Sequence, residues 1–185
     1  MARHFGAEEN SGLPARGGPG PHPSHARGPQ RPRSSLDHAM ESSIAQAIRQ
    51  IPHGQFLLTA AYDGRRTGVL VEWVQQCATN PPMVMIAIVK GSPIAPLIRD
   101  SRVFALCQIS ANDKLLARKF ATTPAQGDDP FFSIRTTTAP SGSPIVQRAA
   151  AFLDCELIRH VDLESDCGLY VGMVRHGGVL NGHSE

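Results

Sequence analysis

The stretch Gly68-Val-Leu-Val-Glu-Trp-Val-Gln-Gln-Cys-Ala-Thr-Asn-Pro-Pro-Met-Val84 decides the fold. Residues 69–74 form an apolar run that is rich in β-branched side chains, which predicts a strand. Polar residues follow, and the double proline Pro81-Pro82 marks a break because proline cannot donate to a strand ladder. Residues 83–89 are continuously apolar and of strand length, which predicts a second strand, buried on both faces.

Further short strands are predicted on both sides of this stretch. Asp63-Gly64 is typical of a tight hairpin turn, and it joins the strand over residues 69–74 to an earlier β-rich run. The other predicted strands cover residues 55–62, 103–109, 151–161 and 169–176. At least six strands with hairpin-like spacing, and no regular alternation with helices, predict a mainly β, mostly antiparallel barrel rather than a doubly wound sheet.

Short helices are predicted at three places. Residues 40–51 have helical periodicity and stop at Pro52, and residues 93–100 and 113–120 suit two further helices. Asn112 is the expected N-cap of the last one. Residues 121–143 form a long connection, which we expect to be functional or to lie on the rim of the domain.

The first 39 residues differ from the rest in composition. They hold six of the fifteen prolines, interleaved with Gly, Arg, Ser and His. Such a segment buries too little apolar surface to offset the entropy of ordering, so residues 1–39 are predicted to be a disordered tail. The folded domain is predicted over residues 40–185.

Charge and cysteine usage exclude several classes of protein. The formal net charge is only +2. The sequence has no concentration of basic residues of the kind that predicts nucleic-acid binding. No stretch approaches the ~20 apolar residues of a membrane span, and no signal peptide is recognisable, so a cytoplasmic location is expected. The four cysteines are scattered without a Cys-x-x-Cys pair, which favours buried reduced thiols over disulfides or a metal site.

The opening stretch resembles the signature of flavin reductase-like domains, in which a tryptophan and polar residues precede a double proline and a buried strand. The version Trp73-Val-Gln-Gln76 is similar to the subgroup that is also found fused to flavodiiron proteins. Five further blocks follow the order of the family, over residues 51–59, 89–92, 115–120, 142–144 and 165–172. The resemblance implies an FMN-binding split β-barrel, mostly antiparallel and Greek-key-like, with a few short helices.

The resemblance also implies where a flavin binds. Five consecutive residues would line the flavin ring and ribityl chain: Glu72, Trp73, Val74, Gln75 and Gln76. Lys90, Gly91 and Ser92 would hold the phosphate, since a cation and a hydroxyl beside amides at a helix start form an anion site. The implied activity is NAD(P)H-dependent reduction of FMN by a homodimer that passes electrons to a partner acceptor, with FAD left open as an alternative to FMN.

Three positions depart from the family pattern. Glu72 stands where relatives commonly carry a small polar residue, and its carboxylate would repel a reduced, anionic flavin. Cys107 stands where relatives often have asparagine. The family turn Gly-Asp-His is here Ser165-Asp166-Cys167, so Asp166 and Cys167 occupy the catalytic positions on the nicotinamide side. We expect altered cofactor handling.

Two alternatives to a reductase follow from these departures. The first is an FMN-binding electron carrier or binding module that lacks reductase turnover of its own. The second is a barrel that binds no flavin and serves as an interaction or haem-binding module, because fold alone does not fix function. The absorbance spectrum of the purified protein would distinguish all three.

Overall fold

The computed structural model describes residues 43–110, 112–121 and 129–180. The chain divides into two units, Met1–Ile48 and Arg49–Glu185. In the first unit, residues 43–48 form helix α1, inside the helix predicted over residues 40–51. The predicted tail, residues 1–39, lies outside the described residues, and its boundary stays a prediction.

The second unit is mainly β. In chain order its described elements are β1 Phe56–Tyr62, β2 Arg65–Val71, β3 Val74–Thr79, β4 Pro82–Val89, α2 Ile94–Ser101, β5 Val103–Gln108, α3 Lys114–Phe120, β6 Thr136–Thr138, β7 Pro144–Val146, β8 Ala151–Asp162 and β9 Cys167–Val179. Neither α2 nor α3, nor the described part of α1, is long and apolar enough to cross a membrane.

Seven of the strands form one sheet in the order β2-β1-β5-β8-β9-β4-β3. Every neighbouring pair in it is antiparallel. The sheet curls so that β2, at one edge, contacts β4, which lies next to the opposite edge strand β3. The predicted split-barrel fold, mainly β and antiparallel, is therefore confirmed.

The β1–β2 hairpin follows from its turn residues. Tyr62 pairs with Arg65 across the turn, and Asp63 and Gly64 have φ angles of 49° and 72°. Positive φ at both central residues matches the right-handed twist of the flanking strands, and Asp-Gly adopts it at low cost. The hairpin predicted from this dipeptide is confirmed.

Two apolar clusters lie on opposite faces of the sheet. The first packs helix α2, through Ile94 and Ile98, against strand residues that include Phe104. The second packs helix α3 and Phe131 against Leu57 and its neighbours on β1 and β5. Each fully buried large side chain of this kind contributes about 1.5–3 kcal/mol, so the two clusters anchor the helices to the barrel.

Three details differ from the sequence-based expectations. The predicted strand over residues 69–74 ends at Val71, and a separate strand, β3, begins at Val74. Strand β4 is not buried on both faces: Val84, Ile86 and Ile88 are buried and alternate with half-buried residues. Helix α3 is capped by Asp113 rather than Asn112, because the Asp113 carboxylate accepts a hydrogen bond from the Leu116 N–H at 3.1 Å.

Within the long connection over residues 121–143, the described part is ordered around the second cluster. Residues 122–128 lie outside the described residues. Phe131 is buried, and its ring lies 5.3 Å from that of Phe120. The short sheet β6–β7 then returns the chain to β1, where the Thr59 hydroxyl donates to the Pro144 carbonyl at 2.5 Å.

Candidate functional site

Three segments singled out from the sequence meet at one end of adjacent strands. Strands β3 and β9 begin where β4 ends, since both run antiparallel to β4. The Trp73 carbonyl accepts a hydrogen bond from the Ala87 N–H at 3.1 Å, and the Lys90 N–H donates to the Asp166 carbonyl at 2.8 Å. These segments therefore meet at one edge of the barrel, where these strands begin or end. This edge is formed by the first residues of the segments 72–76 and 90–92 and by the pair 166–167.

Residues 72–76 belong to an exposed edge strand and the turn before it. Trp73 is 59% exposed, and Gln75 and Gln76 are exposed as well. An edge strand has one row of backbone N–H and C=O groups that its own sheet does not use. Gln76 pairs with Val84, roughly 16 Å along the strand from Val89, so the segment extends well away from residues 90–92.

Residues 90–92 form a tight turn that leads into helix α2. The Ser92 N–H donates to the Val89 carbonyl at 3.2 Å, and Gly91 has a φ angle of 82°. Because a positive φ angle is unfavourable for residues with a side chain, the geometry of the turn accounts for a glycine at position 91. Pro93 is the N-cap of α2 and offers no side-chain hydrogen bond to the first turn. Few amide donors are left at the helix start, because Pro93 and Pro96 have no N–H and the Ala95 N–H already donates to the Ser92 carbonyl at 3.1 Å.

The cation of this turn already has a partner. Lys90 Nζ lies 2.6 Å from Asp162 Oδ1, in an exposed ion pair. The Asp162 carboxylate also accepts the Glu164 N–H at 3.0 Å, and the Lys90 hydrogen bond holds its pKa below the usual value. Asp162 is therefore the carboxylate that contacts Lys90, and Glu164 and Asp166 follow it in the turn to β9.

Asp166 and Cys167 differ in exposure. The Asp166 side chain is exposed, whereas Cys167 is 5% exposed and begins β9 opposite Val89. Burial and the neighbouring Asp166 carboxylate raise the pKa of the Cys167 thiol. Cys167 is therefore a neutral thiol at neutral pH. It does not carry the positive charge that a cationic imidazole would carry at this position.

Other side chains at this edge were not predicted as site residues. His53 Nε2 lies 3.9 Å from Glu72 Oε2, which gives the Glu72 carboxylate a neighbour. The His160 ring stacks on Tyr170 with 4.3 Å between centroids, and a Cβ at Gly168 would lie 2.7 Å from His160 Nε2. Asp162 and His160 lie in β8, and nothing in their local sequence signals these contacts.

The arrangement fits a flavin ring better than a flavin phosphate. The exposed Trp73 side chain and the free edge of β3 offer an aromatic surface and backbone hydrogen bonds. A phosphate dianion would have to displace the Asp162 carboxylate from Lys90. Among the described residues, no cluster of three or more His, Cys, Asp or Glu side chains has the arrangement of a metal site.

Comparison with known proteins identifies the family. A family model described as the flavin reductase like domain matches residues 48–185, most of this chain. The chain belongs to the flavin reductase-like domain family. It is 30% identical over 142 residues to diflavin flavoprotein A 1 of Synechocystis, an alignment that covers 76% of this chain and 25% of the relative. The subgroup predicted from Trp73-Val-Gln-Gln76 is thereby confirmed.

The chain spans about a quarter of the length of the curated relatives it matches. Two solved structures share its fold. The NADH:FAD oxidoreductase SgcE6 of Streptomyces globisporus superposes with a TM-score of 0.69 at 22% identity, covering 80% of this chain and 87% of that one. The styrene monooxygenase flavin reductase of Pseudomonas putida gives a TM-score of 0.64 at 22% identity, with coverages of 75% and 87%.

Proposed function

We propose that this chain is a flavin-binding oxidoreductase that reduces FMN with NAD(P)H and passes the electrons to an acceptor protein. The observation that carries the proposal is the register of β3, β4 and β9, which joins the exposed Trp73 edge to the Lys90–Ser92 turn. Membership of the flavin reductase-like family supports it. A bound flavin would supply the two-electron chemistry, as a hydride acceptor.

In this proposal the chain binds and orients the cofactor. Backbone groups of residues 72–76 bind the ring edge, and Trp73 packs against the flavin. Lys90 exchanges Asp162 for the phosphate, and the Ser92 hydroxyl completes the anion site. Asp166 and Cys167 flank the side on which the nicotinamide approaches. FAD remains an alternative to FMN. Its two phosphates would have to bind at the same Lys90–Ser92 turn.

A homodimer is part of the proposal, with the flavin at the subunit interface. Trp73 and Val89 are 59% and 60% exposed and lie at the same edge, and a second copy would cover this apolar surface. Light scattering on the purified protein is expected to give twice the chain mass of 19.9 kDa. A monomeric mass at micromolar concentration would contradict it.

The test is the absorbance spectrum followed by steady-state oxidation of NADH and NADPH with added FMN. We expect a flavin spectrum after incubation with FMN and turnover with at least one nicotinamide. Protein that binds no flavin and oxidises neither nucleotide overturns the proposal.

A second candidate is an FMN-binding electron carrier without reductase turnover. The observation that favours it is Cys167, a buried neutral thiol where the family turn carries histidine. A bound flavin chromophore without NADH or NADPH consumption would favour this candidate. Cys167→His, if it then gives turnover, would identify the missing histidine as the reason.

A further inference from the structure

A cavity of about 710 Å³ lies between helix α3 and the β6–β7 sheet. Its lining shares no residue with residues 72–76, 90–92 or 166–167. The lining residues are Leu115, Leu116, Lys119, Ser133, Ile134, Arg135, Gln147 and Arg148. The volume is within the range of small-molecule sites, and the wall combines an apolar part with three cations.

The three cations come from different elements and are held at one cavity. Lys119 is on α3, and its Nζ donates to the Ser133 hydroxyl at 2.5 Å. Arg135 precedes β6, and the Gln147 N–H donates to its carbonyl at 3.1 Å, which continues the β6–β7 ladder. This ladder places Arg135 beside Arg148, the residue after Gln147.

Among the described residues, two of these cations have a carboxylate nearby. Arg148 pairs with Asp113, and the pKa of the Asp129 carboxyl is lowered mainly by its hydrogen bond to Arg66 and also by the charge of Lys119. Arg148 Nε lies 3.3 Å from Asp113 Oδ2, and Asp113 is itself held by capping α3. Lys119 has a hydroxyl partner, and Arg135 has no side-chain partner among the residues that the structure describes. Among the residues that the structure describes, the lining contains no acidic side chain. The cavity therefore carries a net positive charge that a bound anion would neutralise.

We infer that this cavity binds a small organic anion, a phosphate or carboxylate group joined to an apolar body. The guanidinium of Arg135 and the ammonium of Lys119 provide charge-assisted hydrogen bonds to the anionic group. Leu115, Leu116 and Ile134 provide the apolar wall for the body of the ligand. The inference does not depend on flavin binding at Trp73 and Lys90.

The test uses 1-naphthyl phosphate, 1-naphthoate and the neutral 1-naphthol as probes of the full chain by calorimetric titration. Both anions are expected to bind more tightly than 1-naphthol, with an affinity that falls as salt is added. Arg135→Gln and Lys119→Gln are each expected to weaken anion binding about tenfold, the equivalent of one lost charge-assisted bond. Comparing the two anions shows which headgroup the cavity prefers.

Arg118→Gln is the matched control, because it removes a cation from the same helix that does not line the cavity. It is expected to bind the probes as the unmodified chain does. Equal affinity for 1-naphthol and the anions, or equal losses in Arg118→Gln and Arg135→Gln, would each overturn the inference.

Discussion

At the scale of single residues, the ion pair between Lys90 and Asp162 would compete with a flavin phosphate for Lys90 in the proposed site. The two groups are 2.6 Å apart and exposed, so the pair is weak and a dianionic ligand can compete with it. Only the phosphate group of a flavin would compete with Asp162 for Lys90. A flavin without a phosphate does not need the Lys90 ammonium.

Asp162→Asn is expected to tighten FMN binding by up to about fivefold and to leave riboflavin binding unchanged, because it frees Lys90 and removes one repelling charge. Fluorescence titration of both flavins at one fixed ionic strength measures the effect. Glu164→Gln removes a neighbouring carboxylate that has no bond to Lys90, and it serves as the control. Equal changes for FMN and riboflavin would show that Lys90 is not the phosphate ligand.

The buried thiols give a pH dependence. Burial raises the pKa of Cys107 to about 11 and that of Cys155 to about 12. In the unfolded chain both thiols ionise near the ordinary cysteine pKa of 9.0, so above that pH the unfolded chain binds fewer protons than the folded one. The free energy of unfolding should therefore fall as pH rises from 9 to 11, by up to about 1.4 kcal/mol per pH unit for each thiol.

Urea unfolding at several pH values checks this dependence. The double variant Cys107→Ala/Cys155→Ala should lose the part of the slope that the thiols cause, while tyrosine and lysine titration stay common to both proteins. Parallel slopes in the two proteins would mean that these thiols do not couple folding to pH.

At the residue scale, the sequence predicts candidate site residues but not all of their partners. Glu72, Trp73 and Lys90 could be placed at a site because whole blocks follow the family order. The partner of Lys90 could not, since Asp162 lies 72 residues later and meets it only through the register of β8, β9 and β4. Such pairings depend on non-local strand contacts, which no local pattern encodes.

At the scale of elements, close backbone packing fixes the position of β9 in the sheet. A Cβ on Gly172 would overlap the ring of Phe104 and lie 3.1 Å from the Cβ of Cys155. Phe104 is fully buried in the first apolar cluster, so it has no free space to move into.

Gly172→Ala is expected to lower the free energy of unfolding by about 1–3 kcal/mol, the usual cost of overpacking a core. Chemical denaturation measures it. Phe104→Leu in the Gly172→Ala background should recover part of the loss, whereas Phe104→Leu alone should destabilise. Strictly additive effects of the two changes would contradict the proposed contact.

The elements also show which sequence patterns predict secondary structure. The β1–β2 hairpin was predictable because Asp63-Gly64 has a specific turn geometry and follows the strand β1, which is buried on both faces. Strand β3 was not, because it lies at the sheet edge and is mostly exposed, so it shows no apolar alternation. Its polar residues Gln75 and Gln76 therefore resemble a loop in sequence.

At the scale of the whole molecule, the curled sheet joins distant segments into one edge. Residues 72–76, 90–92 and 166–167 are separated along the chain, and the antiparallel order β9-β4-β3 brings them together. The second apolar cluster and its helix α3 form the basic cavity elsewhere in the same unit. The fold class was predictable from the family blocks, whereas the cavity depends on packing between α3 and the β6–β7 sheet.

The central claim is that a flavin binds beside Trp73, which is the only tryptophan of the chain. Titration with FMN while following tryptophan emission tests it most directly, since a flavin in contact with the indole quenches that emission. The account predicts saturable quenching together with a shifted flavin absorbance spectrum, and only the unsaturable decrease of free N-acetyltryptophanamide in the control. Emission that falls no more than this control, with an unchanged flavin spectrum, would contradict it.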